Sequence, residues 1–240
     1  MPDAARSPRA RRVAAGARDP SSAGFRVFID FDNTITQGDV LDGIIETFST
    51  SREWRILEEA WTAGRITTRA CLEGQVRGLR VTWPELSRHL DQVRLDPGFA
   101  RLRDLLRREE VELTILSDNF DLILEHILRQ NGLADVARRA NHLELATGGL
   151  VPSFPYGNPD CPGCAHCKKI HFMPPHRDAR RVVFIGDGRS DICAATHADI
   201  VFAKTSLLSH LRRSAIPCLA YGNLSEVADA LANILHENEN

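Results

Sequence analysis

Four short apolar runs, FRVFID (25–30), VELTILS (111–117), RVVFIGD (181–187) and DIVFA (199–203), constrain the fold of this chain more than any other feature. Each is rich in β-branched or aromatic residues and bounded by turn formers, the pattern of a strand buried on both faces. The first three end on a polar or acidic residue and lead into helical patterns at 40–48, 120–131 and 190–197. Strand, polar tip and helix in this alternation predict an α/β fold. The expected form is a Rossmann-like, mostly parallel sheet flanked by helices, with ligands at the carboxyl ends of the strands.

Residues 31–110 separate the first two runs, far more chain than a crossover helix needs. Four amphipathic patterns, VLDGIIETF, EWRILEEAWTAG, TTRACLEGQVRGL and WPELSRHLDQV, fill this stretch, with Gly64 and Gly78 at helix stops. They predict an inserted helical cap over 40–93 and a core domain made of 25–39 and 94–240. Trp54, Trp61 and Trp83 lie on these patterns, where an aromatic is more often core than pocket lining. HLELATGGLVPSFPY predicts short strands around a glycine turn, and GNPDCPGCAHCKK a loop until the lysine pair opens a helix. From 205 onward, SLLSHLRR, a short strand PCLAY and a final helix over 224–236 complete the chain. Residues 1–24 predict a disordered basic leader. No apolar stretch follows their arginines, which excludes a secretory signal and leaves an organelle transit peptide as the alternative.

With 240 residues, 43% of them hydrophobic, the chain can bury a sizeable core. A net charge of -2 supplies no basic field for nucleic acid, and no run reaches the ~18 apolar residues of a membrane span. Six cysteines in a chain of this length do not make a disulfide scaffold. A soluble protein of the reducing cytoplasm, monomer or homodimer, is the expectation.

The polar tips carry the chemistry. Asp30 and Asp32, two apart on an extended segment, point to the same side. Two close carboxylates split their pKa values into a base or nucleophile and an acid unless a cation intervenes, although an aspartate here also caps turns. Ser117 and the backbone N–H groups after it occupy the second tip, where a serine is equally an ordinary helix cap. At the third, Asp187 stands between Gly186 and Gly188 with Asp191 four residues on. Mg2+ asks for such oxygen ligands, and Asp30 and Asp187 supply two carboxylates. Lys168 and Lys169 offer the positive charge that phosphoryl oxygens require.

The order Asp-x-Asp-x-Thr, strand-end Ser, Lys, Gly-Asp-x-x-x-Asp resembles the haloacid dehalogenase superfamily of phosphohydrolases across residues 25–203. The resemblance implies a phospho-aspartyl mechanism, with Asp30 attacking phosphorus and Asp32 first protonating the leaving alcohol and then activating water. It implies Mg2+ at Asp30, Asp187 and the Asp32 backbone carbonyl, with Asp191 ordering the metal's waters. Ser117, Asp118 and Lys168 would face the substrate and Thr34 would brace the loop after the nucleophile. Lys168 is preferred because a cysteine precedes it, with Lys169 as substitute.

An insertion at this position is similar to the helical C1 cap of the phosphoserine phosphatase-like branch. Asp39, nine residues after the nucleophile, then contacts a substrate amine or hydroxyl. Gln75 stands where that branch carries a basic residue for the serine carboxylate, which departs from phosphoserine. FPYGNPDCPGCAHCKKI and the region around the last motif resemble the methylthio-phosphopentenyl phosphatases of methionine salvage, and phosphocholine and phosphoethanolamine phosphatases share part of the pattern. The expectation is Mg2+-dependent hydrolysis of a small phosphomonoester. A phosphotransferase and a non-catalytic, zinc-containing regulatory protein are the alternatives. For the latter, Cys161, Cys164 and Cys167 with His166 or His171 would form a three-sulfur zinc site, against reduced thiols in a loop that positions Lys168.

Overall fold

The computed structural model describes residues 24–147, 149–161 and 163–237. The leader expected over 1–24 therefore lies outside the described residues except for Gly24. Strands β1 (Phe25–Ile29), β2 (Glu112–Phe120), β3 (Ala137–Ala146), β4 (Gly149–Ser153), β5 (Arg181–Gly186), β6 (Ile200–Ala203) and β7 (Leu219–Ala220) form one sheet in the order β4-β3-β2-β1-β5-β6-β7. All neighbours run parallel except the β3/β4 hairpin. Helices α1 (Val40–Phe48), α2 (Glu53–Thr62), α3 (Thr68–Arg77) and α4 (Trp83–Leu90) lie between β1 and β2. The rest are α5 (Gly98–Arg108), α6 (Asp121–Gln130), α7 (Ile192–Ala195), α8 (Thr205–Arg213) and α9 (Leu224–Glu237). No helix among the described residues is long and apolar enough to cross a membrane.

The register places the site. β1 runs between β2 and β5, with Ile29 opposite both Ile115 and Ile185. The three chemically loaded tips therefore end side by side at one edge of the sheet. Val27, Ile29, Phe31 and Ile35 are buried, as are their neighbours Ile115, Val183 and Ile185. Each such side chain withdrawn from water contributes about 1.5–3 kcal/mol, which holds the β1 tip in place.

The insertion leaves and rejoins the core through paired backbone: Thr36 bridges Leu95, and Gln37 N–H donates to the Arg94 carbonyl at 2.9 Å. Gly64, with φ +70°, turns the chain after α2, a conformation a Cβ would strain.

Three local expectations differ from the structure. β3 begins at Ala137, before the expected hairpin, because parallel pairing with β2 extends a polar stretch that its own pattern does not mark. The helix expected over 190–197 is a 3-10 turn, Arg189–Asp191, followed by the short α7. The lysine pair opens only a 3-10 turn, Lys168–His171.

Candidate active site

Asp30 follows β1 directly, and its N–H donates to the Ile185 carbonyl at 2.9 Å, which fixes it against β5. Beyond it the chain turns sharply. The Phe31 carbonyl accepts from the N–H groups of Thr34, Ile35 and Thr36, and Asn33 takes a left-handed φ of 54°. This turn brings Asp32 back beside β2. The Asp32 carboxylate accepts from the Val40 N–H at the start of α1 (2.9 Å), from Asn119 Nδ2 at 3.1 Å on both oxygens, and from Ser117 Oγ at 3.4 Å.

Asp30, Asp187 and Asp191 present carboxylate oxygens all within 4.8 Å of one another. Lys168, itself buried, reaches into this group and donates to Asp30 Oδ1 at 2.5 Å and Asp191 Oδ1 at 2.7 Å. The other Asp191 oxygen accepts from the N–H groups of Asp187 (3.0 Å) and Gly188 (3.1 Å), so this carboxylate ties the loop after β5 to the lysine. Gly186 makes the arrangement possible: a Cβ there would stand 2.5 Å from Asp191 Oδ2. Asp187 is braced by Thr205 Oγ1 at 3.1 Å and approached by Thr34 Oγ1 at 3.5 Å.

Electrostatics separate the roles. Burial pushes Asp32 up to about 8, with Asp39 repelling it further, so its carboxyl holds a proton at neutral pH. Asp30 is raised well above the ordinary carboxylate range by burial and by Asp191, against the pull of Lys168. Asp187 is pushed up to about 6 by burial and then Asp191. Burial opposes charge on Lys168, but Asp191 and Asp30 outweigh it and hold the ammonium charged. One ammonium among the three carboxyl groups of Asp30, Asp187 and Asp191 leaves room for a hard dication, and the all-oxygen donor set suits Mg2+.

A cavity of about 380 Å³ opens between these tips and the inserted helices. Asp30, Asp32 and Asp187 line one end; Asp42, Glu58, Trp61 and Gln75 line the other. Asp39 borders it as the cap of α1, accepting from Asp42 N–H at 2.9 Å, and burial and Asp42 push it up to about 6.

The remaining expected residues fall as follows. Ser117 is fully buried under the cavity, accepting from Asn119 N–H at 3.0 Å. Asp118 lines the cavity, but its carboxylate accepts from His166 N–H at 2.9 Å, fastening the cysteine-rich loop to β2. Lys169 lies away from Asp30, beside Cys193. Trp61 lines the cavity, contrary to the core placement expected for the tryptophans, whereas Trp54 and Trp83 pack on the core. Its indole N–H donates to Thr68 Oγ1 at 3.0 Å, which ties the ring to the start of α3.

The zinc expectation finds no support. Cys161 and Cys164 approach to 3.5 Å between sulfurs, but among the described residues the only metal-ligating cluster is the aspartate one. The histidines are engaged elsewhere. His166 Nδ1 donates to the Ser117 carbonyl at 2.8 Å, and its Nε2 pairs with His171 Nε2 at 2.7 Å. Burial pushes them down to about 3 and about 4, so this pair is neutral and acts as a strut beneath Ser117.

Sequence reasoning missed Asn119, Asp42 and Glu58. Asn119 sits two residues past Ser117 in the same strand-end motif, a signal within reach. Asp42 and Glu58 belong to helices whose packing the pattern does not specify.

Comparison with known proteins identifies the family. The profile of the haloacid dehalogenase-like hydrolases matches residues 27–196. A 2-hydroxy-3-keto-5-methylthiopentenyl-1-phosphate phosphatase from Brevibacillus brevis is 28% identical over 88% of this chain and 96% of its own. A polyol phosphate phosphatase from Saccharomyces cerevisiae is 22% identical over 87% and 93%. A solved phosphoserine phosphatase, captured as a phospho-aspartyl intermediate analogue, superposes with a TM-score of 0.65 at 18% identity, over 87% of this chain and 99% of that one, and so shares the fold.

Proposed function

Because the chain belongs to the haloacid dehalogenase-like hydrolase family and is a phosphatase of small phosphate esters, we propose that it is a Mg2+-dependent phosphomonoesterase working through a phospho-aspartate at Asp30. The observation that carries this reading is the buried Asp30–Lys168–Asp191 network with Asp187 beside it and Asp32 across the turn, its carboxyl pushed up to about 8 by burial. Asp30, Asp187 and the Asp32 backbone carbonyl would hold the metal, with Asp191 behind them. When bound, the ion offsets the repulsion between the nucleophile and the phosphoryl oxygens.

The chain's own groups do the rest. An Asp30 oxygen forms a bond to phosphorus as the ester P–O bond breaks, and the Asp32 carboxyl gives its proton to the departing alkoxide. Lys168 balances charge on the transferring group, and the Ser117 region together with the loop turn keeps Asp30 and Asp32 oriented. In the second step water attacks phosphorus, Asp32, now a carboxylate, takes its proton, and Asp30 is released with inorganic phosphate. Helices α1–α4 serve as the cap that closes over the ester.

For the substrate, the named relatives support the methylthio-enol phosphate of methionine salvage, and Leu41, Leu72 and Trp61 give the cavity apolar wall for such a chain. The test is phosphate release from this ester and from phosphoserine, phosphocholine and phosphoethanolamine, with and without Mg2+. Hydrolysis is expected only with the metal and not by Asp30→Asn; full turnover by Asp30→Asn overturns the reading.

A further inference from the structure

The cavity's two ends differ in what they offer a ligand. At the inserted helices, Glu58 on α2 accepts from Gln75 Nε2 on α3 at 3.1 Å, with Cys71 Sγ 4.0 Å away. Gln75 is only 3% exposed and lines the cavity, and no described residue donates a hydrogen bond to its carboxamide oxygen. Asp42 on α1 adds a second carboxylate, close enough to Glu58 for each to repel the other's charge. Among the described residues, no lysine or arginine pairs with Asp39, Asp42 or Glu58. The cavity's own arginine, Arg189, is committed elsewhere, donating to the Thr62 carbonyl at 2.8 Å with its guanidinium over the Trp61 ring. The Trp61 N–H, the other strong donor at this end, is spent on Thr68.

This end therefore presents carboxylate and amide acceptors without a free cationic donor. An acceptor facing the cavity is met best by a donor, and an anion brought against carboxylates is costly. A hydroxyl or ammonium group on the bound ester would satisfy both conditions. We propose that Glu58 and Gln75 form a recognition site for hydrogen-bond donors on the alcohol part of the substrate. On this assignment the protein takes phosphate esters of hydroxylated or aminated alcohols and turns away esters that carry a carboxylate. The inference rests on the phosphatase reading above and adds the class of ester.

The test uses the full chain with Mg2+ and a size-matched series: glycerol 3-phosphate with hydroxyl donors, phosphoethanolamine with an ammonium donor, propyl phosphate with neither, and phosphoserine and 3-phosphoglycerate with a carboxylate. The proposal expects kcat/KM for both donor-bearing esters to exceed propyl phosphate by about tenfold or more, and both carboxylate esters to fall below glycerol 3-phosphate by a similar factor. Glu58→Gln should shrink the advantage of phosphoethanolamine most, because it removes charge, and Gln75→Leu that of glycerol 3-phosphate, because it removes a neutral acceptor. Propyl phosphate turned over as well as glycerol 3-phosphate, or phosphoserine preferred to both, overturns the proposal. Calorimetric binding of the same series to Asp30→Asn gives the affinity order without turnover. That order still decides the matter if no ester is hydrolysed, an outcome that would count against the phosphatase mechanism alone.

Discussion

At the strand tips every carboxylate has a donor: Asp30 and Asp191 share Lys168, Asp32 has Asn119 and the α1 N–H, and Asp187 has Thr205. At the helical end of the same cavity no described residue donates to the Gln75 oxygen, and Glu58 has only the Gln75 amide and the weak Cys71 thiol. The tips are buried and held by parallel register, so their network is closed before any ligand arrives. The helical end is completed by whatever binds. A preorganised centre for chemistry and an open set of acceptors for selection are what one cavity needs to apply a single reaction to a particular ester.

The largest effect should come from opening the closed end. Lys168→Met leaves Asp30 and Asp191 buried without their cation, and breaking such a pair costs about 3–5 kcal/mol. A urea titration should show that loss of stability together with loss of phosphate release in the folded fraction, whereas a matching change at Lys169 should do neither.

Asn119 gives a smaller and more specific effect. Its amide lowers the Asp32 pKa, so Asn119→Ala should reduce kcat by about 10- to 100-fold and move the alkaline limb of the pH–rate profile upward. A fall in kcat with no shift of that limb would assign Asn119 a merely structural part.

The smallest effect is on stability against pH. Asp32 is raised from 3.8 to about 8, so its contribution to the metal-free protein is complete below 3.8 and is lost as pH rises through about 8; Asp30 is raised in the same sense. His166 and His171, pushed down from 6.5, act oppositely but only below 6.5. Between pH 6.5 and 8 the aspartates therefore dominate. The metal-free melting temperature should fall by a few degrees over that range, and Mg2+ should restore more at pH 8 than at pH 6.5.

How much of this was legible in the sequence follows the same division. β1, β2 and β5 could be read because both faces of each are buried, which leaves an apolar run and one polar tip. The candidate site residues came with them because Asp30, Ser117 and Asp187 sit at those tips. β3 could not be read, since Arg138 and Arg139 belong to a strand made by its pairing with β2. The helix expected after Gly188 was shortened because Asp191 turns its carboxylate back onto the N–H groups of Asp187 and Gly188. Trp61 was misplaced because its partners, Thr68 and Arg189, lie outside its own helix. The thiol spacing suggested zinc, but spacing does not give the three-dimensional placement of the ligand atoms, which among the described residues gathers a candidate metal cluster only at the aspartates. Residues on strands buried on both faces declare themselves, while those governed by contacts between elements do not.

The central claim is that the Asp30 carboxylate bonds to phosphorus. Acid-quenching the protein during turnover with Mg2+, reducing it with borohydride and sequencing the peptides by mass spectrometry tests this directly, because an acyl phosphate is reduced to homoserine. Homoserine at position 30 and at no other aspartate is the predicted result. Steady turnover with Asp30 unmodified, or with the reduction product at Asp32 or Asp187, would contradict it.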